Sequence, residues 1–322
     1  MDNPSFKRDI KDKSIREGTM LEIKGFDAAS DVGLKDLPGL YKKIGFQATH
    51  LGQAAEIIGK MKGSAIFLAC TSNIVSSGLR EMIAQLVREK KIVALITSTG
   101  AIEEDWMKSQ KPFLAGDFNA DDVQLKENGM NRIGNIFVPD EYYGRLEDFH
   151  MGFIAEMMAK KRIWTPSEYV REIGLRMDDE NSILYWAAKN NIPIFCPGFV
   201  DGAIGDHFFF YNQNKPTEEK IVIDQAGDVE RFYKMILAPE KISAIILGGG
   251  IAKHHLIGAS IIRDGLDYAV YVQTGTEGDG SLSGAKPKEA VSWNKLKEGK
   301  NSVCIEADAT LVFPILAAGL LE

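Results

Sequence analysis

At 322 residues the chain is long enough to bury a substantial core, as one large domain or two average ones. Its 45% hydrophobic and 26% charged residues are those of an ordinary soluble globular protein, and a formal net charge of −7 argues against nucleic acid or another polyphosphate while steering a cation favourably. No stretch reaches the ~20 apolar residues of a membrane span and the N-terminus lacks a signal-peptide core. Cys70, Cys196 and Cys304 have no paired spacing, which predicts reduced, buried thiols in the cytoplasm.

Residues 1–45 hold no clear strand and are rich in charge, which predicts an N-terminal extension ahead of one domain over residues 46–322. Short apolar runs without alternation then recur at 65–70, 92–97, 133–138, 192–196, 243–247, 268–273 and 303–306. That is the pattern of parallel strands covered on both faces. Helical periodicity falls between them, at 51–61, 79–90, 146–161, 167–175, 182–188 and 229–237. The alternation predicts an α/β fold with a doubly wound, mostly parallel, Rossmann-like sheet flanked by helices, its ligands held beyond the carboxyl ends of the strands.

The polar tails of the runs therefore carry the chemistry. After Cys70 comes T-S-N-I-V-S-S-G, with Ser72, Asn73 and Ser76 placed either to bind an anion at a helix start or simply to cap it. Gly248, Gly249 and Gly250 follow another run, but G-G-G-I-A-K lacks the third glycine of the dinucleotide fingerprint and on its own marks only a tight turn. Glu103, Glu104 and Asp105 crowd one strand end, while Asp201 and Asp206 share a glycine-bearing loop at another. Such acids call for a cation, a proton or hydrogen bonds, or else are solvated loop residues. The five histidines show no metal-ligand spacing, so no metal is expected. Lys295 follows Trp293 in E-A-V-S-W-N-K; an indole wall in a water-poor pocket is one way to free a lysine for nucleophilic work, and a basic surface turn is the alternative.

Taken in order, G-G-G-I-A-K-H-H at 248–255, D-Y-A-V-Y-V-Q-T, D-G-S-L-S-G-A and E-A-V-S-W-N-K at 289–295 resemble deoxyhypusine synthases, with likeness running from about Thr71 to the C-terminus. The resemblance implies an NAD-dependent enzyme that oxidises spermidine, carries its aminobutyl fragment as an imine on a lysine and delivers it to a lysine of a translation initiation factor. By position it implies Lys295 as the imine-forming lysine and His254 as the group that contacts the amine and assists proton transfer. Glu103, Glu104, Tyr143, Asp206, Gly280, Ser281, Glu289 and Trp293 match positions around the polyamine. For NAD the matching positions are Ser72, Asn73, Ser76, Thr97, Ser98, Thr99, Asp201, Gly249, Thr274, Gly275, Asp308 and Ala309. The same resemblance implies a homotetramer with active sites across a dimer interface, and a lid formed around Ser14 to Leu21.

Leu282 stands where eukaryotic members carry an acid, Gly258 replaces an asparagine, and T-S-T-G-A replaces a more glycine-rich T-A-G-G. The first of these departures motivates an alternative, transfer of the aminobutyl group to a free diamine as in a homospermidine synthase. A non-catalytic polyamine- or NAD-binding paralogue is a third function compatible with an acidic crevice.

Overall fold

The computed structural model describes residues 21–299 and 301–321; most of the expected lid lies outside them. Six strands form one parallel sheet in the spatial order Ser302–Glu306, Tyr268–Gln273, Ile242–Leu247, Ala65–Cys70, Ala94–Ile96 and Ile194–Phe195. Numbered along the chain and read from the other edge, that order is 3-2-1-4-5-6, the dinucleotide-binding arrangement, with its direction reversal between Ala65–Cys70 and Ile242–Leu247. Register aligns the carboxyl ends: Cys70 faces Leu247, Ile96 faces Phe195, and Gln273 faces Glu306.

Alternation along each strand sends neighbouring residues to opposite faces, and each face has its own core. Leu68, Cys70, Ile245, Leu247, Val270 and Val272 pack under Phe46–Lys60, Arg80–Arg88, Thr99–Gln110 and Ala309–Leu320. Phe67, Ala69, Ala244, Ile246, Ala269 and Tyr271 pack under Gln225–Leu237 and Gly250–Ala259. Both faces are therefore covered, which is why these strands read as continuous apolar runs. All three cysteines are free and buried. Among the described residues no helix is long and apolar enough to cross a membrane.

One run departs from expectation. Residues 133–138 do not join the parallel sheet; Met130–Ile133 and Ile136–Pro139 form an antiparallel hairpin, extended by Leu114–Ala115 into a separate three-stranded sheet. Gly134, at φ +60°, makes the turn between the two strands, a conformation glycine adopts without penalty. In the N-terminal extension, residues 21–36 lie largely exposed, while the short helix Leu37–Tyr41 docks on Phe46–Lys60 at Gly52, where a Cβ would meet Lys42 and the Pro38 carbonyl.

A buried ionic network ties the helices of one face together. Arg80 Nε donates to Asp105 Oδ1 at 2.5 Å and its terminal nitrogen reaches Asp179 Oδ2 at 2.6 Å. Asp105 also accepts from Ser182 Oγ and from the amides of Ile183 and Leu184 at the start of Ile183–Asn190. Replacing Arg80 with alanine strands a carboxylate that is 1% exposed, so Arg80→Ala should lose about 3–5 kcal/mol in urea unfolding. A loss below about 1 kcal/mol would show that Asp105 is satisfied without it.

Candidate active site

At the carboxyl edge of the sheet the chain repeatedly leaves a strand and enters a helix. Some helices are capped by their own side chains: Thr165 closes a capping box on Pro166–Gly174, Ser182 accepts from Tyr185 N, and Asp308 accepts from Thr310 N. The helices Thr99–Gln110, Ala203–Asn212 and Gly250–Ala259, which start at the crevice, have no side-chain cap from their N-cap residues. The positive ends of their dipoles are thereby turned toward the crevice, with Glu103 rather than an N-cap side chain taking the amide of Ile204 at the start of Ala203–Asn212.

Glycines let the backbone close over this edge. Gly248 sits at φ +85°, and a Cβ on Gly249 would lie 2.6 Å from Ser283 Cα. The loop 274–286 folds over that turn and is tied down by Lys253, whose ammonium donates to Gln273 Oε1 at 2.9 Å, Leu282 O at 2.8 Å and Ala285 O at 2.7 Å. Burial pushes the Lys253 amine down to about 8, against the pull of nearby acidic groups. Sequence reasoning passed over this lysine, although its spacing to Leu256 and Ile257 puts it on the apolar side of its helix.

The positions expected to hold NAD divide into two kinds. Ser98 and Ser72 are half-buried, and Asn73, Asp201, Thr274 and Asp308 are exposed along the edge, with Gly275 beside them and Ala309 opening the helix behind Asp308. Thr97 and Thr99 are buried and spend their hydroxyls on the Cys70 and Gly198 carbonyls at 2.9 Å each. Ser76 is buried and donates to Glu104. Those three hydroxyls donate their hydrogens within the fold. Open helix starts, a glycine turn and exposed carboxylates suited to ribose hydroxyls are a donor and acceptor set that fits a dinucleotide.

An acidic cluster lies at the ends of Ala94–Ile96 and Ile194–Phe195. Glu103 and Glu104 are 5% and 6% exposed. Glu103 Oε1 accepts from Ile204 N at 2.7 Å, closing the helix start that carries Asp206. Burial raises the Glu103 carboxyl to about 7, with Asp206 and Asp201 adding to the rise. Glu104 is likewise raised to about 7, by burial first and by Glu103 beside it, despite the Ser76 hydrogen bond. Tyr143, from Asp140–Lys160, is pushed to about 12 by burial and by these two carboxyls. Asp105, the third acid of the run, points away into the Arg80 network.

A second cluster surrounds Lys295. Its Nζ stands 5.2 Å from the Trp293 ring centroid, and it lines a small cavity of about 10 Å³ with Lys253, Tyr271, Leu282, Glu289 and Trp293. The Tyr271 hydroxyl is buried there without a hydrogen-bond partner. Trp293 itself is 63% exposed, so the indole forms one wall of the expected dry pocket and this chain alone does not seal it. His254 is exposed, whereas His255 stacks on Phe232 at 4.6 Å and burial drives it down to about 4. Gly280, at φ +69°, and Ser281, whose amide donates to Asp279 Oδ1, lie exposed on the loop above. The Lys295 cavity is lined by none of Glu103, Glu104, Tyr143 or Asp206, so the two clusters do not share a pocket within one chain. No group of three potential metal ligands occurs among the described residues.

The deoxyhypusine synthase family profile matches residues 36–320. A protein of Pyrococcus abyssi named probable deoxyhypusine synthase is 45% identical over 326 residues, covering 96% of this chain and 97% of its own. A protein of the same name from Halobacterium salinarum is 44% identical over 306 residues, covering 94% and 92%. A crystal structure from Entamoeba histolytica bearing the same family name superposes with a TM-score of 0.68 at 27% identity, over 92% of this chain and 96% of that one. The chain belongs to the deoxyhypusine synthase family.

Proposed function

We propose that this chain is an NAD-dependent aminobutyltransferase that takes the four-carbon amine of spermidine, holds it as an imine on Lys295, and passes it to a lysine of a translation initiation factor in the cytoplasm. The observation that carries this is the half-buried Lys295, whose amine faces the Trp293 ring and which lines one pocket with Glu289. Ser72, Asn73, Ser98, Asp201, Gly249, Thr274, Gly275, Asp308 and Ala309 would hold NAD, whose chemistry is to take a hydride from the amine-bearing carbon and return it after transfer.

The side chains account for the remaining steps. Glu103, Glu104, Asp206 and Glu289 attract the polyammonium chain, and the Trp293 face seats its alkyl and ammonium groups. His254, exposed and unencumbered, takes the proton that leaves the amine nitrogen as the C=N bond forms. Lys295 Nζ then gives up a proton and adds to that carbon, the three-carbon diamine leaves with a proton, and an imine links the fragment to the enzyme. The acceptor lysine adds to the same carbon and displaces Lys295. The two clusters would come together across a dimer interface of a homotetramer, where a second copy covers the exposed Trp293.

One observation favours a second acceptor class. Leu282, where an acid would anchor a terminal ammonium, lines the Lys295 cavity and leaves that wall apolar. Incubation with spermidine and NAD, offering in parallel the initiation-factor protein and putrescine, separates the two by chromatography. Label on the protein supports the proposal; homospermidine with no protein label replaces it with the diamine transfer.

A further inference from the structure

We infer that Tyr169, His150 and His207 form a hydrogen-bond chain of fixed direction that positions Asp206, resting on the proposed role of that carboxylate in holding an ammonium group. Tyr143 and His150 lie seven residues apart on Asp140–Lys160, so both project from one face of that helix. This helix packs against Ala203–Asn212, which carries Asp206 and His207 side by side. The joint between them is polar: His150 Nδ1 and His207 Nδ1 are 3.2 Å apart, and the Tyr169 hydroxyl is 2.9 Å from His150 Nε2. All three side chains are at most 4% exposed, and around them stand Phe153, Phe199 and Phe208.

Proton bookkeeping sets the direction. His150 Nε2 is the one hydrogen-bond partner of the buried Tyr169 hydroxyl among the described residues, and a buried O–H needs an acceptor for its hydrogen, so Tyr169 donates and His150 Nε2 accepts. His150 must then carry its hydrogen on Nδ1 and donate to His207 Nδ1, which leaves His207 with hydrogen on Nε2. Both imidazoles stay neutral at working pH, because burial lowers His150 to about 3 and lowers His207 against the opposing pull of Glu147 and Asp206. In an otherwise aromatic joint a directional pair fixes the rotation of Ala203–Asn212 more sharply than apolar packing does. That rotation decides where Asp206 points, while Glu103 holds the same helix at its first turn.

The test uses the full chain. In ¹⁵N-histidine NMR at pH 7, His150 should be the Nδ1–H tautomer and His207 the Nε2–H tautomer; the reverse pattern, or a charged ring, overturns the chain. In calorimetry with NAD present, His207→Leu should weaken spermidine binding about tenfold while NAD binding stays within about twofold. His207→Asn, whose amide sits near the lost Nδ1, should recover most of that loss. In an Asp206→Asn background His207→Leu should add nothing further; additive losses in that background, or equal losses from the Leu and Asn variants, would reduce the pair to core packing. Absence of any spermidine heat in the unaltered protein would count against the proposed function itself, and the NMR result would then decide the chain alone.

Discussion

Lys295→Ala should abolish aminobutyl transfer, with at least a ~10³-fold fall in rate, while NAD binds as before. The split is expected because the backbone at this position is held independently of the side chain: Lys295 N donates to Ala290 O, and its carbonyl accepts from Ser260 Oγ and Leu266 N. Removing the amine therefore leaves the turn and the crevice in place. Lys295→Arg should be as inactive, because a guanidinium stays protonated and cannot add to a C=N carbon. Transfer rates with the acceptor protein, set beside NAD titrations monitored by protein fluorescence, measure both halves of the split. Residual transfer within tenfold of the unaltered protein would remove Lys295 from the chemistry.

Glu104→Gln should trade binding for stability. Both Glu103 and Glu104 titrate near 7, raised from 4.5 chiefly by burial, so spermidine binding should strengthen as pH rises through about 7 and these carboxyls ionise. In Glu104→Gln one charge is gone, and KM for spermidine should rise about 10- to 100-fold at pH 8, with a flatter pH dependence below it. Stability moves the other way. A carboxyl whose folded pKa lies above its unfolded value binds its proton more tightly in the folded state; that contribution is present below about 4.5 and lost as pH rises through about 7. A neutral amide escapes the loss, so Glu104→Gln should be more stable than the unaltered protein by on the order of 1–3 kcal/mol at pH 8 and nearly equal at pH 4. Urea unfolding at the two pH values checks this; equal stability at both would mean the Glu104 charge is compensated in the folded protein.

The main sheet was legible in the sequence because its strands are buried on both faces and so read as unbroken apolar runs; 65–70 and 268–273 coincide with Ala65–Cys70 and Tyr268–Gln273. The run at 133–138 misled for a physical reason: it spans a turn, and Gly134 and Asn135 between Ile133 and Ile136 signal the hairpin that composition alone concealed. Thr99–Gln110, Ala203–Asn212 and Gly250–Ala259 went unrecognised as helices because they begin in polar strand tails and bury polar as well as apolar residues, Glu103, His207 and Lys253 among them. For the site, the ordered motifs located Lys295 and the acids, but side-chain direction lay beyond them. Asp105 belongs to the Arg80 network, Thr97 and Thr99 turn inward, and the lysine adjoining His254 clamps the loop above the glycine turn. Only coordinates separate neighbours that spacing treats alike.

The most direct measurement of the central claim is mass spectrometry of the protein after incubation with spermidine and NAD followed by borohydride reduction, with peptide mapping. A mass increase of one aminobutyl group on the peptide containing Lys295, lost in Lys295→Ala and cleared by prior addition of the acceptor protein, is the predicted result. An unmodified protein that nonetheless transfers label to the acceptor, or an adduct on any other lysine, would contradict it.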